Sequence, residues 1–543
     1  MRHHTERSKG RALLVATVAL LVIGTALAHL ERAASGLDVQ SLRIGSAPVT
    51  VFRQSASAGL AADGSAPVVL IAHGFAGSQQ LMQPLATTLA HSGFTAVTFD
   101  FPGHGRNVAP MRGGLADTDA SLRTLLASMQ EMGDYAAQLA GSRGRYAVIG
   151  HSMASDIVVR HAQAHAEVEA TVALSLFAPS INAQTPPDSP RNLLVIDGAL
   201  EPGGMATEAL RVLAPGEAAG AVARAFATTY GDFRQGTARR AFLSPGVEHI
   251  GVLYSSATLE ATLDWLSEAF GRPMTGPAFI DERGLWLGLL IAGLVLLAWP
   301  LSLVLARFAL GSGPAVSSTQ DEVVSHRWIG WRGAAMLVIA PAVLTPLILW
   351  PVPTHFLPIL LGDYLMVHCA LYGVLTGIGL VLAGRLLRRP VSGRAPRSVL
   401  TRRVAVVFLA TAYALLALGL PLDRYAFNLW PEPARLPLVL ALLAGTLPWF
   451  LADEWLTRAR GAPRGAYVAS KLAFLVSLVL AIALDPQRLF FLVIIVPLIL
   501  LLFVIHGLYS RWIAQSTGQP TIAAVANAVV FAWFIAVTFP LVS

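Results

Sequence analysis

Cysteine is nearly absent, with Cys369 alone among 543 residues. That excludes an intrachain disulfide and a cysteine-built metal site, and leaves the redox compartment unmarked. Charge is scarce as well. Asp, Glu, Lys and Arg make up 13% of the chain, against about 25% in ordinary soluble proteins. Hydrophobic residues reach 55% and the mean hydropathy is +0.60, so the whole chain is neither a disordered nor an ordinary soluble protein. No repeat of fixed period is present, which excludes a solenoid. The net charge of +7 and pI near 9.8 do not argue for nucleic acid. The arginines gather in short loops between apolar runs, where membrane topology accounts for them, and no nucleic-acid partner is expected.

What is present divides the chain into three parts. Residues 1–34 combine Arg2, Arg7, Lys9 and Arg11 with an apolar run from Ala12 to Leu30. This reads as a cytoplasmic tail and retained anchor helix in preference to a cleaved signal, although Ala26-Leu-Ala28 resembles a cleavage site. Residues 35–276 have soluble character, with strand-like runs at Val49–Phe52, Pro67–Ala72, Phe94–Phe99, Tyr146–Ile149, Ala170–Phe177, Asn192–Ile196 and Arg240–Leu243. Helical stretches separate them, so a mainly parallel sheet with helices on both faces is expected, its active site at the carboxyl ends of the strands. Residues 277–543 contain about eight runs long enough to cross the hydrocarbon layer, near Leu285–Phe308, Gly333–Trp350, Leu357–Ala383, Val404–Leu420, Leu436–Trp455, Ala466–Leu484, Leu489–Leu508 and Thr521–Leu541. The basic loops Gly384–Arg397, with Arg402 and Arg403, and Arg458–Lys471 belong inside; counting back puts Gly311–Arg332 and the N-terminus inside and residues 35–276 outside. An integral multi-pass protein of the cell (inner) membrane is expected, with its soluble domain extracytoplasmic.

The chemistry centres on Gly150-His151-Ser152-Met153-Ala154, which follows a buried strand and opens a helix. A G-x-S-x-G elbow strains the serine backbone so that the hydroxyl stands above the sheet edge. Here alanine replaces the final glycine, at the cost of one methyl group. Serine needs a base held by a carboxylate, in the usual order Ser, acid, His. Asn192–Ile196 leads into a turn with Glu201 at its tip, favoured as the acid over Asp197 at the strand end, and His249 follows the last strand. Negative charge developing on the substrate requires two N–H donors; His73-Gly-Phe-Ala-Gly77 follows a buried strand and places the Phe75 amide to pair with that of Met153.

These motifs resemble the α/β-hydrolase family from about Val49 to Phe270, with Phe99-Asp-Phe-Pro-Gly-His-Gly-Arg106 as a further match. The resemblance implies Ser152 as nucleophile, His249 as base and then acid, Glu201 as its orienting carboxylate, and the Phe75 and Met153 amides as oxyanion hole. Glutamate in place of the commoner aspartate is a second departure, and it removes no functional group. His104 reads as structural. His161 and His165, four apart on a helix, have metal-ligand spacing but no third ligand, and read as solvated positions. Pro202–Gly236 fits either a cap or plain sheet cover. Asp363 and His368 fall in a membrane run, where ionisable groups usually serve function.

The expectation is therefore an α/β-hydrolase-like domain joined to an all-α polytopic bundle. It acts as a serine hydrolase on an ester or other acyl substrate, a lipid included, at the outer face of the membrane, through an acyl-enzyme and with no metal or organic cofactor. The alternatives are an acyltransferase using the same three residues, and a transporter or scaffold carrying a hydrolase-like module that only binds.

Overall fold

The computed structural model describes residues 2–55, 66–114, 117–140, 144–213, 225–272, 277–310, 331–383, 397–458 and 462–543. The basic loop 384–396, most of 311–332 and residues 459–461, on which the expected orientation rests, lie outside the described residues. The chain forms two compact units. One comprises residues 26–288 with 422–429 and 540–543, the other 1–25 with 289–421 and 430–539.

The first unit is built on one eight-stranded sheet. Its strands are β1 Leu37–Ile44, β2 Ala47–Gln54, β3 Val68–Ala72, β4 Thr95–Phe99, β5 Tyr146–His151, β6 Val168–Leu174, β7 Leu193–Gly198 and β8 Arg239–Ser244. They lie in the order β1-β2-β4-β3-β5-β6-β7-β8. All ladders are parallel from β4 to β8, while β1–β2 and β2–β4 are antiparallel. β3, β5, β6 and β7 are buried throughout, because helices cover both faces and leave no position for a polar side chain facing water. β1 was not among the expected strands. It is the half-exposed edge, paired only with β2 through the turn at Gly45, so it lacks the apolar run that marks the others.

The sheet is covered by α2 Gln83–His91, α3 Thr118–Leu139, α4 Met153–Ala164, α5 Gly203–Arg211 and α6 Ser256–Ala269. α2 and α6 pack on one face through Leu85, Leu89, Leu263 and Trp265. On the other face Ala209 of α5 packs with Val159 of α4 and Val195 of β7, which makes the described part of 202–236 sheet cover; residues 214–224 lie outside the described residues. Two segments distant in sequence complete this unit. Leu541 exchanges backbone hydrogen bonds with Gly103, and Met111 donates to Leu541 O at 2.9 Å. Arg106 Nη2 donates to Asp423 Oδ2 at 2.7 Å, and Asn428 N to Ser78 Oγ at 3.1 Å.

Eight helices among the described residues are long and apolar enough to cross a membrane. The first is residues 9–33 of α1 Arg2–Ala33; the others lie in α7 Arg283–Leu310, α9 Gly362–Leu382, α10 Arg397–Tyr425, α11 Leu436–Arg458, α12 Ala466–Leu484, α14 Leu492–Thr517 and α15 Pro520–Thr538. α8 Trp331–Leu349 is a shorter apolar helix over 333–349, and α13 is the single turn Pro486–Leu489. By composition this is a membrane protein. Within the second unit α11 lies against α9 at points where only glycine fits. A Cβ on Gly373 would come within 2.4 Å of Trp449 N, and one on Gly445 within 2.1 Å of Met366 O. Apolar helices in lipid gain no hydrophobic drive from pairing, so such close backbone approach supplies the attraction.

Gly133 of α3 tests the packing of the α/β unit. A Cβ there would stand 2.7 Å from the His161 ring and 2.8 Å from the Tyr146 hydroxyl, which are themselves hydrogen-bonded at 2.7 Å. Gly133→Val should cost about 1–3 kcal/mol through overpacking and loss of that bond, read as a lower unfolding midpoint of the full chain.

Candidate active site

The parallel register brings the carboxyl ends of five strands to one edge, with Ala72 opposite Gly150, His151 opposite Leu174, and Gly198 opposite Ser244. The loops leaving that edge carry the site. Between β5 and α4 the chain reverses at Ser152, whose φ of +53° is in the region that disfavours any side chain. Its N–H donates to Leu174 O at 2.8 Å, which anchors the strained turn to β6. Gly150 is required here, since a Cβ would come 2.4 Å from Ala154 O. Ala154, in the place of the usual last glycine, is buried and its methyl is accommodated.

Above this turn His249 Nε2 lies 2.9 Å from Ser152 Oγ, and its Nδ1 lies 2.5 Å from Glu201 Oε1. The other oxygen of Glu201 accepts from Gly198 N at 2.6 Å and from Ser175 Oγ at 3.0 Å. Three donors therefore hold the carboxylate, whose side chain is 1% exposed. Asp197, the competing acid, does not reach the histidine. Its Oδ1 accepts from Leu176 N at 3.1 Å, and the side chain is fully buried at the strand end. Burial pushes Asp197 up to about 7, against the Leu176 hydrogen bond and with help from the Glu201 charge. The extra length of glutamate, one methylene beyond aspartate, is spent crossing the turn from residue 201 to the ring.

A second histidine, not singled out from the sequence, supports the first. His151 Nε2 lies 2.8 Å from the carbonyl of His249 and ties its loop to the elbow. Burial, reinforced by the neighbouring His249, pushes His151 down to about 3, so it stays neutral and adds no positive charge beside the base. The loop 73–77 lies against the same turn, with a Cβ at Gly74 falling 3.0 Å from His151 O and from Ser152 Cβ. Met153 opens α4, so its amide has no acceptor inside the helix. Phe75 follows Gly74 in the loop that abuts the elbow from the other side.

That loop is held from beneath. Phe101 N donates to His73 Nε2 at 3.1 Å, so the proton of this ring is on Nδ1, which donates to Gly74 O at 2.8 Å. Asp100 accepts from Gln79 N at 2.7 Å and Arg106 N at 3.0 Å, joining the loop to the turn after β4. His104 is buried in that turn with Nδ1 2.9 Å from Pro102 O, a structural place as expected from the sequence.

The remaining sequence candidates fall elsewhere. His161 is not solvated: it is 3% exposed, bonded to Tyr146 and stacked on His165, because Gly133 opens a slot for it under α3. Among the described residues no group of three or more His, Cys, Asp or Glu could hold a metal. In the second unit Asp363 accepts from Phe356 N at 3.0 Å and Tyr364 N at 2.8 Å at the start of α9. His368 Nε2 instead lies 3.1 Å from Ser477 Oγ of α12. The structure does not bring these two together.

Residues 64–211 match the family model described as Serine aminopeptidase, S33. No curated protein matches the chain. Similar solved structures include a membrane phospholipase A described as a novel bacterial virulence factor, at 14% identity, covering 49% of this chain and 99% of that one with a TM-score of 0.29. A candidate lipase (lip1) from Acinetobacter baumannii AYE is 15% identical, covering 46% and 97% at a TM-score of 0.31. The epoxide hydrolase VrEH1 from Vigna radiata is 20% identical, covering 26% and 40% at 0.21. The first unit has the α/β-hydrolase fold, with a mostly parallel sheet.

The two carboxylates separate by experiment. Glu201→Gln should lower reactivity of Ser152 by about four orders of magnitude, the scale seen when a triad acid is replaced by its amide, while Asp197→Asn should leave most of it. Asp197 should show itself in stability. Its folded value near 7 exceeds the ordinary 3.8, so the folded state binds more protons between those limits. Its contribution to stability falls as pH rises through that window and levels above it. Unfolding measured side by side should show wild type losing stability relative to Asp197→Asn as pH rises across that range.

Proposed function

We propose that the α/β unit is a serine hydrolase that cleaves an ester or other acyl substrate through an acyl-enzyme. The observation that carries the reading is the unbroken hydrogen-bond chain Ser152 Oγ, His249 Nε2, His249 Nδ1, Glu201 Oε1. In this reading His249 takes the Ser152 proton as the oxygen attacks the carbonyl carbon. Glu201 steadies the resulting imidazolium, and the Phe75 and Met153 amides receive the oxyanion. The imidazolium then protonates the leaving oxygen, and a water deprotonated by His249 releases the acyl group.

Two large apolar side chains at the same edge support an acyl substrate. Phe177, after β6, and Leu200, beside Glu201, are each 67% exposed. Their exposure costs nothing useful in the free unit and suits contact with a hydrocarbon chain. The apolar helices support a lipid as the source of that chain, and the arginine-rich loops support the outer face as the location of the unit.

The full chain, purified in detergent, should react with a fluorophosphonate probe at Ser152, and Ser152→Ala and His249→Ala should abolish labelling while unfolding like wild type. Failure of the wild-type chain to label would leave a hydrolase-like module that only binds. Reporters fused in the 384–403 loop should be active inside the cell; the reverse would remove the outer-face assignment.

A further inference from the structure

α11 is apolar for most of its length, yet Asp453, Glu454 and Arg458 stand in its last two turns. α12 adds Ser470 and Lys471, α14 adds His506 and Ser510, and α15 adds Asn527, all buried. Ionised groups in a membrane helix bundle are costly unless paired. Asp453 is paired at both oxygens, by Lys471 Nζ at 2.6 Å and Ser470 Oγ at 2.5 Å. The Lys471 side-chain nitrogen also lies 4.4–5.1 Å from the ring centres of Trp449, Phe450, Tyr467 and Phe503, within cation–π range.

Glu454 is treated differently. It is 1% exposed, and among the described residues neither carboxylate oxygen has a hydrogen-bond partner, the Ser510 hydroxyl donating instead to His506 O. Arg458 Nε stands 3.9 Å away, but that guanidinium donates through Nη2 to Gly507 O at 2.8 Å and lies 4.2 Å over the Tyr467 ring. The other groups facing Glu454 are the Ser510 hydroxyl from α14, Lys471 and Tyr467 from α12, and Asp453 beside it. The Tyr467 hydroxyl is committed to Phe503 O at 2.7 Å. A carboxylate without hydrogen bonds in apolar surroundings is costlier than its neutral acid.

One turn before Ser510, His506 is 3% exposed with both ring nitrogens unpartnered among the described residues, its ring edge-on to Phe450 at 6.0 Å. Phe450 is one turn before Glu454. His506 also lines a cleft walled by Leu294, Tyr413, Tyr509 and Trp512. It is thus a polar group of the cleft that stands one helical turn from Ser510, which faces Glu454. We propose that Glu454 is a proton-binding site of the helical unit and that His506 is the group through which its proton is exchanged with the cleft. The carboxyl O–H gives its proton to a free ring nitrogen of His506, which passes it on, and the return path restores the acid; no other bond changes. This gives the unit a proton-handling role separate from the chemistry at Ser152.

The test uses the full wild-type chain reconstituted in phosphatidylcholine vesicles. Infrared difference spectra taken from acid to alkaline pH should contain the carbonyl stretch of a buried protonated carboxyl. In an Asp197→Asn background, which takes away another buried carboxyl raised toward neutrality, Glu454→Gln should remove the band, and Asp453→Asn should keep it. His506→Gln should keep the band but slow its shift on transfer to deuterium oxide severalfold. As a check needing no variant, dicyclohexylcarbodiimide, which adds to protonated carboxyls in apolar surroundings, should modify Glu454 in wild type, less so as pH rises. Superimposable spectra of wild type and Glu454→Gln, with Glu454 unmodified by the carbodiimide, would overturn the proton site. Unchanged exchange in His506→Gln would overturn the relay.

Discussion

The hydrogen bond between His249 Nε2 and Ser152 Oγ, 2.9 Å long, is the interaction on which the α/β unit depends for any chemistry. It joins residues 97 positions apart, and holding them requires the aligned carboxyl ends of β5 and β8 with β6 and β7 between them. The supports follow from that demand. Ser152 N is held by Leu174 O, Glu201 is clamped by three donors, and the His249 backbone is tied to His151. Each bond removes a rotation that would otherwise have to be frozen at the moment of reaction.

The same edge shows how neighbouring acids take different roles from their surroundings. Glu201 accepts three hydrogen bonds, one of them from the imidazole, and so orients the base. Asp197, fully buried with one hydrogen bond, is pushed up to about 7 and serves the backbone of the next loop. The contrast recurs inside the helical unit. Asp453 has both oxygens satisfied, whereas among the described residues Glu454, the next residue on the helix, has neither. Adjacent positions on a helix point about 100° apart, so one meets Lys471 and the other meets the Ser510 side of α14.

Much of this was legible in the residues themselves. Buried strands announce themselves as apolar runs, the elbow by small residues flanking a serine, and the membrane helices by length and hydropathy, because these signals depend on neighbours in sequence. Glu201 could be preferred over Asp197 on its place at a turn tip. Only the tertiary structure decided that its side chain spans the turn to His249, since that depends on the register of β7 against β8. The edge strand β1 was missed because half-exposed residues carry no apolar run. His161 was misjudged as solvated because Gly133, which opens its slot, sits 28 residues away on another helix. The attachment of residues 422–429 and 540–543 to the α/β unit has no local signature, resting on backbone bonds such as Leu541 N to Gly103 O. The acids of α11 stood visible in an apolar run, but which of them is paired was settled only when α12 and α14 came to lie beside it. Sequence determines what each segment must bury; partner, distance and protonation belong to the groups that burial brings together.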